Sequence, residues 1–111
     1  VTQDDSFLPV GDGELFLPRA ELSFRVSRSG GPGGQHVNTS STRVEVVWDV
    51  AGSPSLAEEQ RERIRERLAN RIDGEGVLHV VSSEHRSQHQ NREAATRRLV
   101  ELVGRALHVP K

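Results

Sequence analysis

The 111-residue chain has no cysteine, no methionine and no tyrosine. Without cysteine there are no disulfides and no thiolate metal sites, and a reducing compartment is compatible. The missing methionine, an initiator included, reads as a chain processed or trimmed at its start. Aromatics are few: Phe7, Phe16, Phe24 and Trp48. A stacking platform for single-stranded bases needs more. No apolar run approaches membrane length and no charged-then-apolar leader opens the chain, so no membrane partner is expected. Nor is there a large excess of either charge, the net being −1. What is present is a polar, soluble balance of 33% apolar and 28% charged residues, enough for one domain with one modest core.

Charge is distributed unevenly. Residues 1–24 hold five acids and one Arg, residues 25–48 three Arg and one Glu, residues 49–80 seven acids and five Arg, and residues 81–111 six bases and three acids. All bases but one are Arg, the side chain that pairs phosphate bidentately. Solvated helix faces and helix-dipole complementation account for the same pattern.

The acidic start, residues 1–16, reads as a loosely ordered arm carrying the turn "GDG", with "ELFLP" adding a short edge strand that Pro18 ends. "ELSFRVS" alternates Leu22, Phe24 and Val26 against Ser23, Arg25 and Ser27. "RVEVVWDV" alternates in the same way, with Val44, Val46, Trp48 and Val50 inward. A helix follows over "SPSLAEEQRERIRERLANRI", with a capping box of Ser55 and Glu58 and an apolar seam of Leu56, Ile64, Leu68 and Ile72. "VLHVV" is a third strand. Ser87 with Gln90 opens a last helix through Leu107, striped by Ala95, Leu99, Leu102, Val103 and Ala106, with Arg98 and Arg105 on its other side. The expected class is α+β: a small β-β-α-β-α sheet with two helices packed on one face.

Between strands one and two runs "RSGGPGGQHVN", residues 28–38. A connection this long is functional or disordered. It is no phosphate cradle: no Lys follows Gly33 or Gly34 as a Walker loop requires, and the last Gly of a dinucleotide fingerprint is missing. Glycine lets a backbone approach another molecule closely, and Pro32 limits the resulting disorder. Gln35 does not titrate near neutrality, so it is neither general base nor nucleophile. Its amide groups and backbone N–H can orient water or stabilise an oxyanion. That needs an enclosed site, which a domain this small leaves to a partner.

"GGPGGQHVN" resembles the GGQ signature of class I peptide-chain release factors, and "RSQHQNREAA", residues 86–95, resembles their second signature, R-S-Q-x-x-N-R-x-x-A. The resemblance runs from about Leu17 to Leu107. It implies a GGQ catalytic domain over 17–107 that enters the peptidyl-transferase centre and promotes hydrolysis of the peptidyl-tRNA ester. Gly33 and Gly34 would let the tip reach the terminal adenosine. The Gln35 N–H would stabilise the transition state or the leaving oxygen, and its side chain would admit only water. Ribosomal RNA would supply the walls. No metal and no cofactor are implied. Family members are often N5-methylated at this glutamine, so a glutamine methyltransferase acting on Gln35 joins the expected partners, the large-subunit rRNA and peptidyl-tRNA.

The candidate RNA contacts are Arg28, His36, Asn38, Arg43, Arg86, Gln88, Asn91 and Arg92. Plainer roles stand beside them. His36 packs at the loop base or shuttles a proton, Asn38 braces a turn, and the 86–92 group caps the helix and bridges to the sheet. An Arg at a helix N-terminus opposes the dipole, which favours an external anion. Thr39-Ser40 stand where the family usually has Lys-Thr, and Arg43 is the expected replacement for that phosphate contact. His85 and His89, four apart, make only a weak metal pair, because Ser87 places the helix start between them.

The chain is most similar to the short, codon-independent ribosome-rescue hydrolases, the alternative ribosome-rescue factor B group of bacteria and its mitochondrial relatives. These continue into a Lys/Arg-rich tail, of which residues 108–111 read as the start. A form lacking that tail is expected to bind ribosomes weakly. The alternatives are the catalytic domain of a longer stop-codon-reading factor, or a non-catalytic ribosome-binding module. A monomer in the bacterial cytoplasm is expected, with the mitochondrial matrix as the other location.

Overall fold

A computed structural model describes residues 6–28 and 42–109. In chain order they form β1 (Phe7–Val10), β2 (Leu15–Pro18), a 3-10 turn at Arg19–Glu21, β3 (Leu22–Arg28), β4 (Thr42–Asp49), α1 (Glu58–Arg67), a second 3-10 turn at Ala69–Arg71, β5 (Val77–Ser82) and α2 (Gln88–Leu107). The α+β class is as read from the sequence, with two sheets in place of one.

The main sheet is antiparallel in the order β3-β4-β5. The alternation along β4 sets it: Val44, Val46 and Trp48 are fully buried on one face, and Arg43, Glu45 and Val47 lie on the other. On β5, Leu78 and Val80 join the buried face. α2 lies across β4 and β5, and α1 leans on α2. Ala95, Leu99, Val103 and Ala106 bring the α2 stripe into a core that also takes Leu56 and Ile64 from the α1 segment. Leu102, expected in that stripe, is only partly buried. On β3, Leu22 and Phe24 are half-buried, but Val26, expected inward, is 48% exposed: β3 is an edge strand, and α2 lies across β4 and β5.

The loosely ordered arm expected over 1–16 is corrected from Phe7 onward. β1 and β2 pair as an antiparallel hairpin, Phe7 opposite Pro18 and Val10 opposite Leu15, and bury Val10, Leu15 and Leu17 in the core. The turn uses Gly11 and Gly13 at φ of 65° and 88°, where a Cβ would be strained. The hairpin meets α2 backbone to backbone: a Cβ on Gly104 would lie 3.2 Å from the Gly11 nitrogen.

The Ser55–Glu58 capping box is also corrected. α1 starts at Glu58, and Gln60 Oε1 accepts from the Ala57 N–H at 2.9 Å. The Ser55 hydroxyl donates instead to Glu21 Oε2 at 2.5 Å. Glu21 also accepts from Ser53 Oγ at 2.6 Å and Trp48 Nε1 at 3.0 Å. Burial pushes the Glu21 pKa up, but these three donors together outweigh it and hold it low. Arg61 gathers the carbonyls of Val50, Ala51, Ser53 and Leu56, and Arg67 donates to those of Ala106 and His108 at the end of α2.

On the uncovered sheet face, His79 lies between two carboxylates, Nε2 at 2.9 Å from Asp73 Oδ2 and Nδ1 at 3.0 Å from Glu45 Oε2. The bond to Asp73 first, with Glu45 adding to it against some burial, raises the His79 pKa, and the same bond lowers that of Asp73. The stabilisation from protonated His79 is complete below its unfolded value of about 6.5 and is lost as pH rises through the higher folded value. The Asp73 contribution is lost in the opposite direction, as pH falls below the carboxylate range. The urea midpoint is therefore expected to be highest in weakly acidic buffer and to fall as the solution becomes alkaline. His79→Gln should flatten that alkaline limb in denaturation measured by circular dichroism.

Candidate nucleic-acid interface at the root of the glycine loop

The last rung of the β3–β4 ladder pairs Arg28 with Thr42. The glycine segment therefore leaves and re-enters the fold at one closed point. Gln35 stands midway in chain count between these two residues. Gly33, Gly34, Gln35, His36, Asn38 and Thr39, and the side chain of Arg28, lie outside the described residues.

The N-terminus of α2 meets this root. Ser87 caps the helix, its Oγ accepting from the Gln90 N–H at 3.2 Å. One turn in, Asn91 is fully buried. Its Oδ1 accepts from the His85 N–H at 2.9 Å and the Ser82 hydroxyl at 3.2 Å. Its Nδ2 donates to the carbonyls of His85, at 2.7 Å, and Thr42. Two acceptor and two donor positions are all filled. The RNA contact expected of Asn91 is thereby corrected: its amide has no capacity left for an external group. It ties the end of β5, the connector before α2 and the first residue after the loop into one knot.

Its neighbours point outward. Arg86, Gln88 and Arg92 are exposed, and the Arg92 guanidinium stacks 4.1 Å above the centroid of Phe24 on β3. Stacking fixes the plane of that guanidinium while leaving its donors available. The sequence reading missed Phe24 in this role, having seen only an inward strand position. No acid occupies the first turn of α2, so the helix dipole and both arginines present positive potential together. Arg43 is exposed too, but the alternation of β4 turns it to the opposite sheet face. The loop root is thus flanked by arginine on both sides. Arg98 is engaged elsewhere, donating to Glu84 at 2.9 Å and the Val81 carbonyl at 3.1 Å.

Among the described residues no group of His, Asp and Glu converges as metal ligands. His85 precedes the helix and contributes only backbone to the Asn91 knot. The grooves on the described surface include one of about 370 Å³ between Glu62, Arg65 and Glu66, and one of about 470 Å³ between the hairpin and the end of α2. Neither includes the loop root. No described helix is long and apolar enough to cross a membrane.

Two curated relatives match most of the chain. Peptidyl-tRNA hydrolase ArfB of Pseudomonas putida is 41% identical over 89 residues, covering 80% of this chain and 64% of that protein. Large ribosomal subunit protein mL62 of Mus musculus is 31% identical over 96 residues, covering 86% of this chain and 47% of that protein. The chain thus spans less than two thirds of the length of either. The RF-1 domain family model matches residues 12–109, from the hairpin turn to the end of α2, and the chain belongs to that family.

Proposed function

We propose that this protein hydrolyses the ester of peptidyl-tRNA inside the ribosome, independently of a codon, and so frees stalled ribosomes. The observation that carries the reading is the closed rung at Arg28 and Thr42, braced by Asn91 and flanked by exposed arginines, with Gln35 at mid-loop. Phosphate contacts from Arg86, Arg92 and Arg43 position the domain on rRNA without reading its sequence. Gly33 and Gly34 then allow close approach, and the Gln35 N–H donates to the oxygen on which charge develops. The side chain of Gln35 restricts the nucleophile to water, and His36 and Asn38 support the loop against the RNA. The hydrolase name of the Pseudomonas relative supports this chemistry. A methyltransferase acting on Gln35, a monomeric state and a bacterial cytoplasmic setting complete the proposal, with the mitochondrial matrix as the alternative location.

The test is direct. Ribosomes stalled on an mRNA without a stop codon, carrying a labelled peptidyl-tRNA, are mixed with excess protein at low ionic strength, and released peptide is measured. Release is expected on the ribosome, and free peptidyl-tRNA should stay intact because the enclosed site is the ribosome's contribution. The ribosomal-protein name of the mouse relative favours a second reading, a resident ribosome component without hydrolysis. Binding without release would decide for it.

A further inference from the structure

The register of the hairpin puts Phe7 opposite Pro18 and Pro9 opposite Phe16. These four apolar residues share the face turned away from the core, since their neighbours Leu8, Val10, Leu15 and Leu17 face the other way. Phe7 is 58% and Phe16 56% exposed, so two of the chain's three phenylalanines lie open on one small ribbon. Neither contributes to the fold what a buried aromatic would, and a rimmed apolar patch of this kind marks an interaction surface. The groove of about 470 Å³ begins at Pro9 and is edged by Asp12, Glu14 and Glu101, with Arg105 and His108 also lining it.

This end of the molecule is remote from the loop root. Asn91 and Gly104 mark the two positions on α2, about 20 Å apart at the rise of an α-helix. One end is arginine-rich and holds Thr42, and the other is apolar and acidic. We infer that the outer hairpin face and its acidic groove dock a basic protein segment, one apolar side chain flanked by Lys or Arg. Resting on the reading above, that segment belongs to a protein of the ribosome and not to its RNA. RNA and anionic lipid are polyanions that these carboxylates repel. A second copy of the chain would set the same acids against each other. Complementary charge around an aromatic anchor is the usual composition of a protein contact.

Replacing Phe16 with the photoreactive benzoylphenylalanine keeps an aromatic on the face and labels whatever covers it. The labelled protein is bound to stalled ribosomes and irradiated, and the product is digested with ribonuclease or with protease. A crosslink that survives ribonuclease and yields a Lys/Arg-rich ribosomal protein is expected. A crosslink to rRNA, a crosslink to a second copy, or no crosslink overturns the assignment. Peptide release is read on the same samples, so a failed hydrolase reading appears there independently. The charge variant Asp12→Lys with Glu101→Lys separates the partners by sign: ribosome affinity falls if the partner is basic and rises if it is RNA. Phe7→Ser with Phe16→Ser, both surface changes, should weaken binding at least about tenfold, and unchanged affinity would also overturn the proposal.

Discussion

Gln35→Pro is expected to slow peptide release by about a hundredfold to a thousandfold, the loss on removing one preorganised oxyanion donor. Proline abolishes the main-chain N–H to which the proposed function assigns the developing charge. Gln35→Ala keeps that N–H and removes only the side chain that narrows the pocket to water, so it should reduce release less than proline does. Both variants are expected to melt with the parent in circular dichroism. The order of the two effects is the informative result. Equal, full turnover in both would remove Gln35 from the chemistry. A loss with alanine as large as with proline would move the catalytic role from backbone to side chain.

Asn91→Leu should cost about 3 kcal/mol of stability. A leucine of similar size leaves the Thr42 and His85 carbonyls, the His85 N–H and the Ser82 hydroxyl without the partner that now holds them. Each buried orphan costs about 1–3 kcal/mol, partly relieved here where the connector reaches solvent. For a chain of this size that is roughly a 15 °C fall in melting temperature. Asn91→Asp should be worse at neutral pH, because a carboxylate would face two carbonyl oxygens where the amide now donates. Release per folded molecule, measured well below the melt, should fall as well, since Thr42 anchors the loop. If Asn91 were instead an RNA contact, both variants would keep the parent's melting temperature and lose only ribosome affinity.

The three-stranded sheet was legible because β4 alternates cleanly and both its neighbours pair with it along their length. The last helix was legible from its stripe and from Ser87. The hairpin was legible only in part: its turn and its second strand, ended by Pro18, were read, but its first strand was not. That strand is four residues long, Pro9 discourages a strand reading, and the hairpin's buried residues, Val10, Leu15 and Leu17, are too few to show a period. The Ser55 box failed because Glu21, distant in sequence, takes that hydroxyl. Asn91 sits among Arg86, Gln88 and Arg92 and so reads as one more polar contact. A signal was available: Asn91 lies four residues before Ala95 and eight before Leu99, on the buried stripe itself. A polar residue at a core position needs internal partners. The exposure of Arg43, Arg86, Gln88 and Arg92 follows from their polar type, but their sidedness came only with the register that turns Arg43 away from Arg92.

The rung at Arg28 and Thr42 also acts as a ruler. With both ends of the segment pinned to one spot, Gln35 has a leash of fixed length, and a fully stretched chain of about seven residues spans at most ~24 Å. Any chamber that this amide serves must open within that radius of the ladder's end. Deleting residues in pairs from the two arms would shorten the leash in steps of about 3.4 Å per residue on each side, so the series would measure the depth of the chamber from the outside.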